Sequence, residues 1–137
     1  MKTKGYLLDT NICISMLKNQ HDVREAILKV KPENCYVSEI TLGELYFGAS
    51  FSNNKEERLK DVAFVVDHFK VIPVSETLPL FGDIKADLRR EGKLIDDFDI
   101  LIGCAAILNH LTIVTDNIKH LGRLPGIIVE NWTNRSI

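Results

Sequence analysis

The chain has 137 residues, 45% hydrophobic and 26% charged, enough for one domain (residues 1–137) that buries its own core without disulfides or a structural metal. Its formal net charge is -2 with a pI near 6.1, so the basic balance of a general polyanion binder is absent; nucleic-acid contact would have to rest on local basic patches, or on metal ions offsetting acids. The longest apolar run, Ile100–Leu108, is far shorter than the ~20 residues that cross a bilayer, which argues against a membrane protein.

Lys2 and Lys4 are followed by an apolar stretch that Asp9 and Asn11 break at once, so no secretory signal is expected and the location read is cytoplasmic. The three cysteines, Cys13, Cys35 and Cys104, are odd in number, widely spaced and set among apolar neighbours. Buried reduced thiols are expected, in keeping with a reducing compartment.

Tyr6-Leu7-Leu8 is a short apolar run ending at Asp9 and reads as a buried strand. Ile12, Cys13, Met16 and Leu17 predict a helix over Thr10–Leu17, and Val23–Val30 a second one closed by Pro32. Cys35–Val37 is a strand candidate. Thr41–Phe51 and Glu56–Phe69 read as helices, with Leu59, Val62, Ala63, Val66 and Phe69 as the second one's buried stripe. Val71–Val74 reads as a strand that Pro73 places at an edge or strand end. Ser75–Glu91 reads as a helix stopped by Gly92. Phe98–Leu108, apolar nearly all round, predicts a deeply buried helix, and Leu111–Val114 and Ile127–Val129 the last strands. Apolar strands alternating with helices predict an α/β domain: a three-layer α/β/α fold with a mainly parallel sheet of four to five strands.

The acids fall at informative places in this pattern. Asp9 directly follows the first strand, and Asp116 follows the fourth. In an open parallel sheet those strand ends share the edge where ligands bind. Asp99 sits in the first turn of the buried helix beside Asp96 and Asp97, and Glu44 is read in the first turn of its own. Carboxylates so gathered raise one another's pKa, a conflict that a hard divalent cation resolves. One or two such ions can generate a hydroxide nucleophile and stabilise the leaving oxygen of a phosphodiester. His21, His68, His110 and His120 form no zinc motif. Each acid also has a structural rival. Thr41-x-x-Glu44 fits a capping box, Asp96–Asp99 fit helix caps, and Asp116-Asn117 fits a turn. Asp9 is hardest to explain away, because an acid ending a buried strand wants a partner or a metal.

Leu7-Leu8-Asp9-Thr10-Asn11 closely resembles the opening of PIN-domain nucleases, specifically of VapC-type toxins from toxin–antitoxin pairs. In order after it, Ser38–Leu45 resembles that family's second motif, Asp99–Ala106 its third, and Val114-Thr115-Asp116-Asn117 with Val129–Trp132 its close. Four motifs at family-like spacing span nearly the whole chain. The resemblance implies that Asp9, Glu44 and Asp99 are catalytic, metal-binding acids, with Asp116 as the fourth. Thr10, Asn11, Thr115 and Asn117 would orient them. The family often places its fourth acid two residues after the motif threonine, at Asn117 here, so either Asp116 reaches the site from a shifted position or Asn117 assists. The resemblance further implies Mg²⁺- or Mn²⁺-dependent endoribonuclease activity on tRNA or ribosomal RNA, a homodimer, and a cognate antitoxin that inserts a basic side chain among the acids.

Other readings fit less well. Ser15-x-x-Lys18 matches the nucleophile motif of penicillin-binding enzymes, but the companion motifs are missing. Asp9-Thr10-Asn11 lacks the second Asp of aspartyl phosphatases, and Pro73–Glu76 lacks a receiver's phospho-acceptor. A catalytically weak or inactive PIN-fold binding domain is the alternative, although such a chain would be expected to lose acids that are present here. Lys85, Arg89 and Lys93 share a helical face with Asp83, Asp87 and Glu91, and read as a solvated ion-pair face before an RNA grip.

Overall fold

The computed structural model describes residues 3–133; Lys2 and the last four residues lie outside the described residues. In chain order the strands are β1 (Tyr6–Leu8), β2 (Cys35–Ser38), β3 (Lys70–Ile72), β4 (Thr112–Val114) and β5 (Val129–Glu130). The helices are α1 (Thr10–Leu17), α2 (Val23–Val30), α3 (Glu39–Phe51), α4 (Lys55–His68), α5 (Leu78–Arg90), α6 (Asp97–Leu108) and α7 (Ile118–Leu121). The strands form one sheet in the order β3-β2-β1-β4-β5, and every neighbouring pair is parallel. The predicted α/β architecture with its parallel sheet is therefore the observed one.

Strand alternation sets the layers. Leu7 and Leu8 are both fully buried, yet they face different cores. Leu8, Cys35, Val37 and Val114 pack with Ile12 and Met16 of α1, Ile27 of α2 and Val62 and Val65 of α4. Leu7, Ile72 and Ile113 pack on the other side with Ile102, Ala105 and Ala106 of α6. A satellite cluster joins α5 to α6 through Ile84, Leu88, Ile100 and Cys104. A sheet covered on both faces explains why its strands read as continuous apolar runs. Cys13, Cys35 and Cys104 are buried and free, and burial pushes all three thiols up. Among the described residues no helix is long and apolar enough to cross a membrane.

Several boundaries differ from the sequence expectation, each for a local reason. The helix read from Thr41 begins at Glu39, because the Ser38 hydroxyl accepts the Ile40 N–H at 3.0 Å and caps it. Glu44 thus lies in the second turn of α3, and the capping-box pairing with Thr41 is not formed. The helix read from Ser75 is a 3₁₀ turn over Val74–Thr77 followed by α5. Pro79 explains the break, since a proline suits a helix's first turn and disrupts its interior. At the other end Gly92 takes φ +69, and the Lys93 and Gly92 N–H groups close back on Leu88 and Arg89. The buried stripe of α4 is Val62, Val65 and Phe69, while Leu59, Ala63 and Val66 are exposed. β3 is an edge strand ending just before Pro73, as expected.

Candidate active site

The topology sets the site. From β1 the chain winds outward to β2 and β3, then returns to the other side of β1 as β4. The carboxyl ends of β1 and β4 therefore bound a switch-point crevice, the usual ligand position in such sheets. Asp9 follows β1 there, Thr115 follows β4, and α3 leaves the same edge from β2. α6 runs into β4, so its first turn, with Asp99, lies at that edge too.

Asp9 is the best-held acid. It is 3% exposed, and its Oδ1 accepts the Thr10 N–H at 2.8 Å. Its Oδ2 accepts the Thr115 hydroxyl at 2.8 Å and the Asn11 Nδ2 at 3.2 Å. Burial raises its pKa; these three hydrogen bonds oppose the rise, and the nearby Asp116 charge adds to it. The Asp9 N–H continues the sheet ladder to the Val114 carbonyl at 2.9 Å, which ties the backbone to β4.

Glu44 is joined to this assembly through Thr10, whose hydroxyl donates to Glu44 Oε1 at 2.5 Å. The fully buried Thr41 hydroxyl lies 3.0 Å from the same Thr10 oxygen. Thr41 is a residue that sequence reasoning missed, because its spacing to Glu44 also fitted a helix cap. Asp99 is half-buried, and its carboxyl is pushed up to about 6, first by burial and then by the charges of Asp9, Asp96 and Glu44. Asp96 and Asp97 take other parts: Asp96 makes no side-chain cap bond, and Asp97 pairs with Lys85 at 2.9 Å.

The fourth position divides between two residues. Asp116 is exposed, its N–H donates to Asn11 Oδ1 at 3.2 Å, and its charge is felt at Asp9. Asn117 turns elsewhere. Its N–H donates to the Thr115 hydroxyl at 2.9 Å, and its amide meets His120 Nδ1 at 3.2 Å, at the start of α7. Asp116 thus acts on Asp9 electrostatically, whereas Asn117 secures the turn.

Beside Glu44 a cavity of about 240 Å³ opens between α1, α3 and α4, with Lys18 and Arg58 on its wall. Arg58 also pairs with Asp61 at 3.1 Å. Of the face read as ion-paired, Lys93 meets Glu91 at 3.9 Å, while Lys85 pairs with Asp97 of α6 instead of with an acid of its own helix; Arg90 with Asp87 and Lys60 with Glu57 are further exposed pairs. Such exposed pairs contribute little stability. The acids offer only oxygen donors, a set that suits a hard divalent cation. Among the described residues no three His, Cys, Asp or Glu side chains are already drawn to metal-binding spacing, so the fit is one of donor chemistry and charge.

The fold and site together define a parallel α/β domain with acids gathered at its switch point. The PIN domain family model matches residues 6–125. A Rickettsia felis protein named Ribonuclease VapC2 is 33% identical over 130 residues, covering 93% of this chain and 97% of its own. A Salmonella typhimurium protein named tRNA(fMet)-specific endonuclease VapC is 31% identical over 128 residues, covering 93% and 97%. A structure of DNA-bound VapBC from Salmonella typhimurium superposes with a TM-score of 0.85 at 33% identity, covering 93% of this chain and 98% of that one. The chain belongs to the PIN-domain family, within its VapC group.

Proposed function

We propose that this chain is a divalent-cation-dependent endoribonuclease, the toxin of a toxin–antitoxin pair. The observation that carries this reading is the buried Asp9 at the switch point, oriented by three hydrogen bonds, with Asp99 close enough on another element to feel the charges of Asp9 and Glu44. The ribonuclease names of relatives that match over 93% of the chain support it.

In this reading Asp9, Glu44 and Asp99 hold Mg²⁺ or Mn²⁺, with Asp116 contributing charge from the rim. Such a cation, when bound by these acids, would supply the positive charge that an acidic site needs to admit a phosphodiester, and would make bound water more acidic. The chain's own residues do the positioning. Thr115, Asn11 and the Thr10 N–H fix the Asp9 carboxylate, and Thr10 directs Glu44. Lys18, beside Glu44, offers local positive charge to the RNA backbone, and Arg58 on the same wall would have to leave Asp61 to add to it. The substrate class is RNA, with tRNA or ribosomal RNA as candidates and the cytoplasm as the place of action.

Two surfaces suit protein partners. An apolar groove of about 580 Å³ between α1, α2 and α4, lined by Leu28, Phe64 and Phe69 among others, suits a cognate antitoxin; the similar Salmonella chain was solved in a VapBC assembly. The exposed, stacked Phe47 and Phe51 of α3 suit a homodimer contact.

Expression of the chain alone is expected to arrest growth, and the purified chain to cleave RNA with Mg²⁺ and stop on chelation. Asp9→Asn keeps the volume and removes the charge; it should lower cleavage by more than the ~100-fold typical of residues that only support a ligand. Undiminished toxicity and cleavage by a folded Asp9→Asn chain would refute the site.

A further inference from the structure

We infer that Thr41 is a positioning residue for Glu44 and that it acts through Thr10; this rests on the cation-dependent reading above. A threonine hydroxyl has one proton to give and two lone pairs. The Thr10 proton goes to Glu44 Oε1, at 2.5 Å. The contact between the Thr10 and Thr41 oxygens, at 3.0 Å, can then be a hydrogen bond only if Thr41 is its donor. The direction of the whole chain follows: Thr41 gives to Thr10, and Thr10 gives to Glu44.

The setting gives this chain its force. Thr41 is fully buried, on the first turn of α3, three residues before Glu44 on the same helical face. Thr10 is the first residue of α1. The hydroxyl pair therefore bridges two helices immediately beside the Asp9 carboxylate, to which the Thr10 N–H donates. Consecutive O–H bonds polarise one another, so the Thr41 donation strengthens the bond that Thr10 makes. It also leaves Thr10 no free rotor: with its lone pair engaged from one side, its proton is held toward Glu44. Glu44 is thereby kept in one orientation before any cation arrives, which lowers the cost of gathering the ligands.

A purely structural threonine would do none of this, and the two roles rank substitutions oppositely. Thr41→Val keeps shape and loses the donor; Thr41→Ser keeps the donor and loses a methyl group. Binding of Mn²⁺ alone to the purified full chain, by calorimetry and by the free-ion electron paramagnetic resonance signal, is expected to weaken about tenfold in Thr41→Val and to be restored in Thr41→Ser. Thermal unfolding of the metal-free chains should rank them the other way, with Val above Ser. Thr10→Val should show the same loss of Mn²⁺ affinity, and adding Thr41→Val to it should cost nothing further. Should Thr41→Val not fold, Thr41→Cys, a weak donor of similar volume, takes its place. Wild-type Mn²⁺ affinity in the donor-deficient chain overturns the inference, as do losses that add to those of Thr10→Val. If the wild-type chain binds no Mn²⁺, the cation-dependent reading falls and this inference falls with it.

Discussion

β1 and β4 lie side by side and end at the same edge of the sheet, yet they deliver their acids differently. After β1 the first residue, Asp9, is buried and meets three donors. After β4 the first residue is Thr115, also fully buried, and it spends its hydroxyl on Asp9; the acid one step later, Asp116, is exposed. An equivalent place after a neighbouring strand thus supplies a carboxylate in one case and the donor that aims it in the other. The site is built around β1, and β4 supports it.

That asymmetry is most severely tested at Thr115. Thr115→Val removes a donor to a buried carboxylate and strands the Asn117 N–H. It is expected to weaken Mn²⁺ binding by ~10–100-fold and to cost about 1.5–3 kcal/mol of stability, read by metal titration and denaturant unfolding. Unchanged Mn²⁺ affinity would mean that β4 is not the supporting partner.

Burial of Asp99, reinforced by the charges of Asp9, Asp96 and Glu44, predicts a pH effect. The Asp99 pKa is raised from 3.8 to about 6 in the folded chain. A raised acid stabilises the fold fully below its unfolded pKa, and that contribution is lost as pH rises through the folded value. The metal-free chain should therefore melt at a higher temperature at pH 5 than at pH 7. Asp99→Asn should raise the pH 7 melting temperature by roughly 2–4 °C, after allowance for screening at a half-buried group, and flatten the slope between those values. Scanning calorimetry in chelator decides it; a wild-type slope in Asp99→Asn would remove Asp99 as the source of the pH dependence.

The smallest effect belongs to the exposed end. Asp116→Asn should weaken Mn²⁺ binding by less than the ~10-fold of a buried supporting residue, and Asn117→Ala should leave it unchanged while loosening the start of α7. A larger loss from Asn117→Ala would exchange the two assignments.

Much of this was legible in the chain. The parallel sheet followed from apolar runs alternating with helical spacing, and Asp9 stood out because a buried strand rarely ends in an acid without a reason. Asp99 was legible as an acid at a helix start and Glu44 as one a turn further in than the sequence placed it, but only the order of the surrounding motifs tied them to Asp9. The start of α3 was misplaced because Ser38 and Thr41 are both good caps, and the choice between them is made by tertiary contact: Thr41 is buried against Thr10. The break before α5 was present in Pro79 and was outweighed by the apolar spacing around it. The outward turn of Leu59 and Val66 depends on where α2 and the sheet sit, which periodicity within α4 does not encode.

Gly103 lies one helical turn after Asp99 in α6, facing the segment between α7 and β5. A Cβ there would fall 2.3 Å from Leu124 Cδ2, with Leu121 and Ile127 next in line. α6 thus meets that segment at a point with no side chain, where a Cβ would first have to displace the Leu124 terminal methyl, and Asp99 rides on the helix a turn away. Whether a side chain at position 103 would be felt at Asp99 therefore turns on which gives way, the Leu124 side chain or the helix that carries the acid.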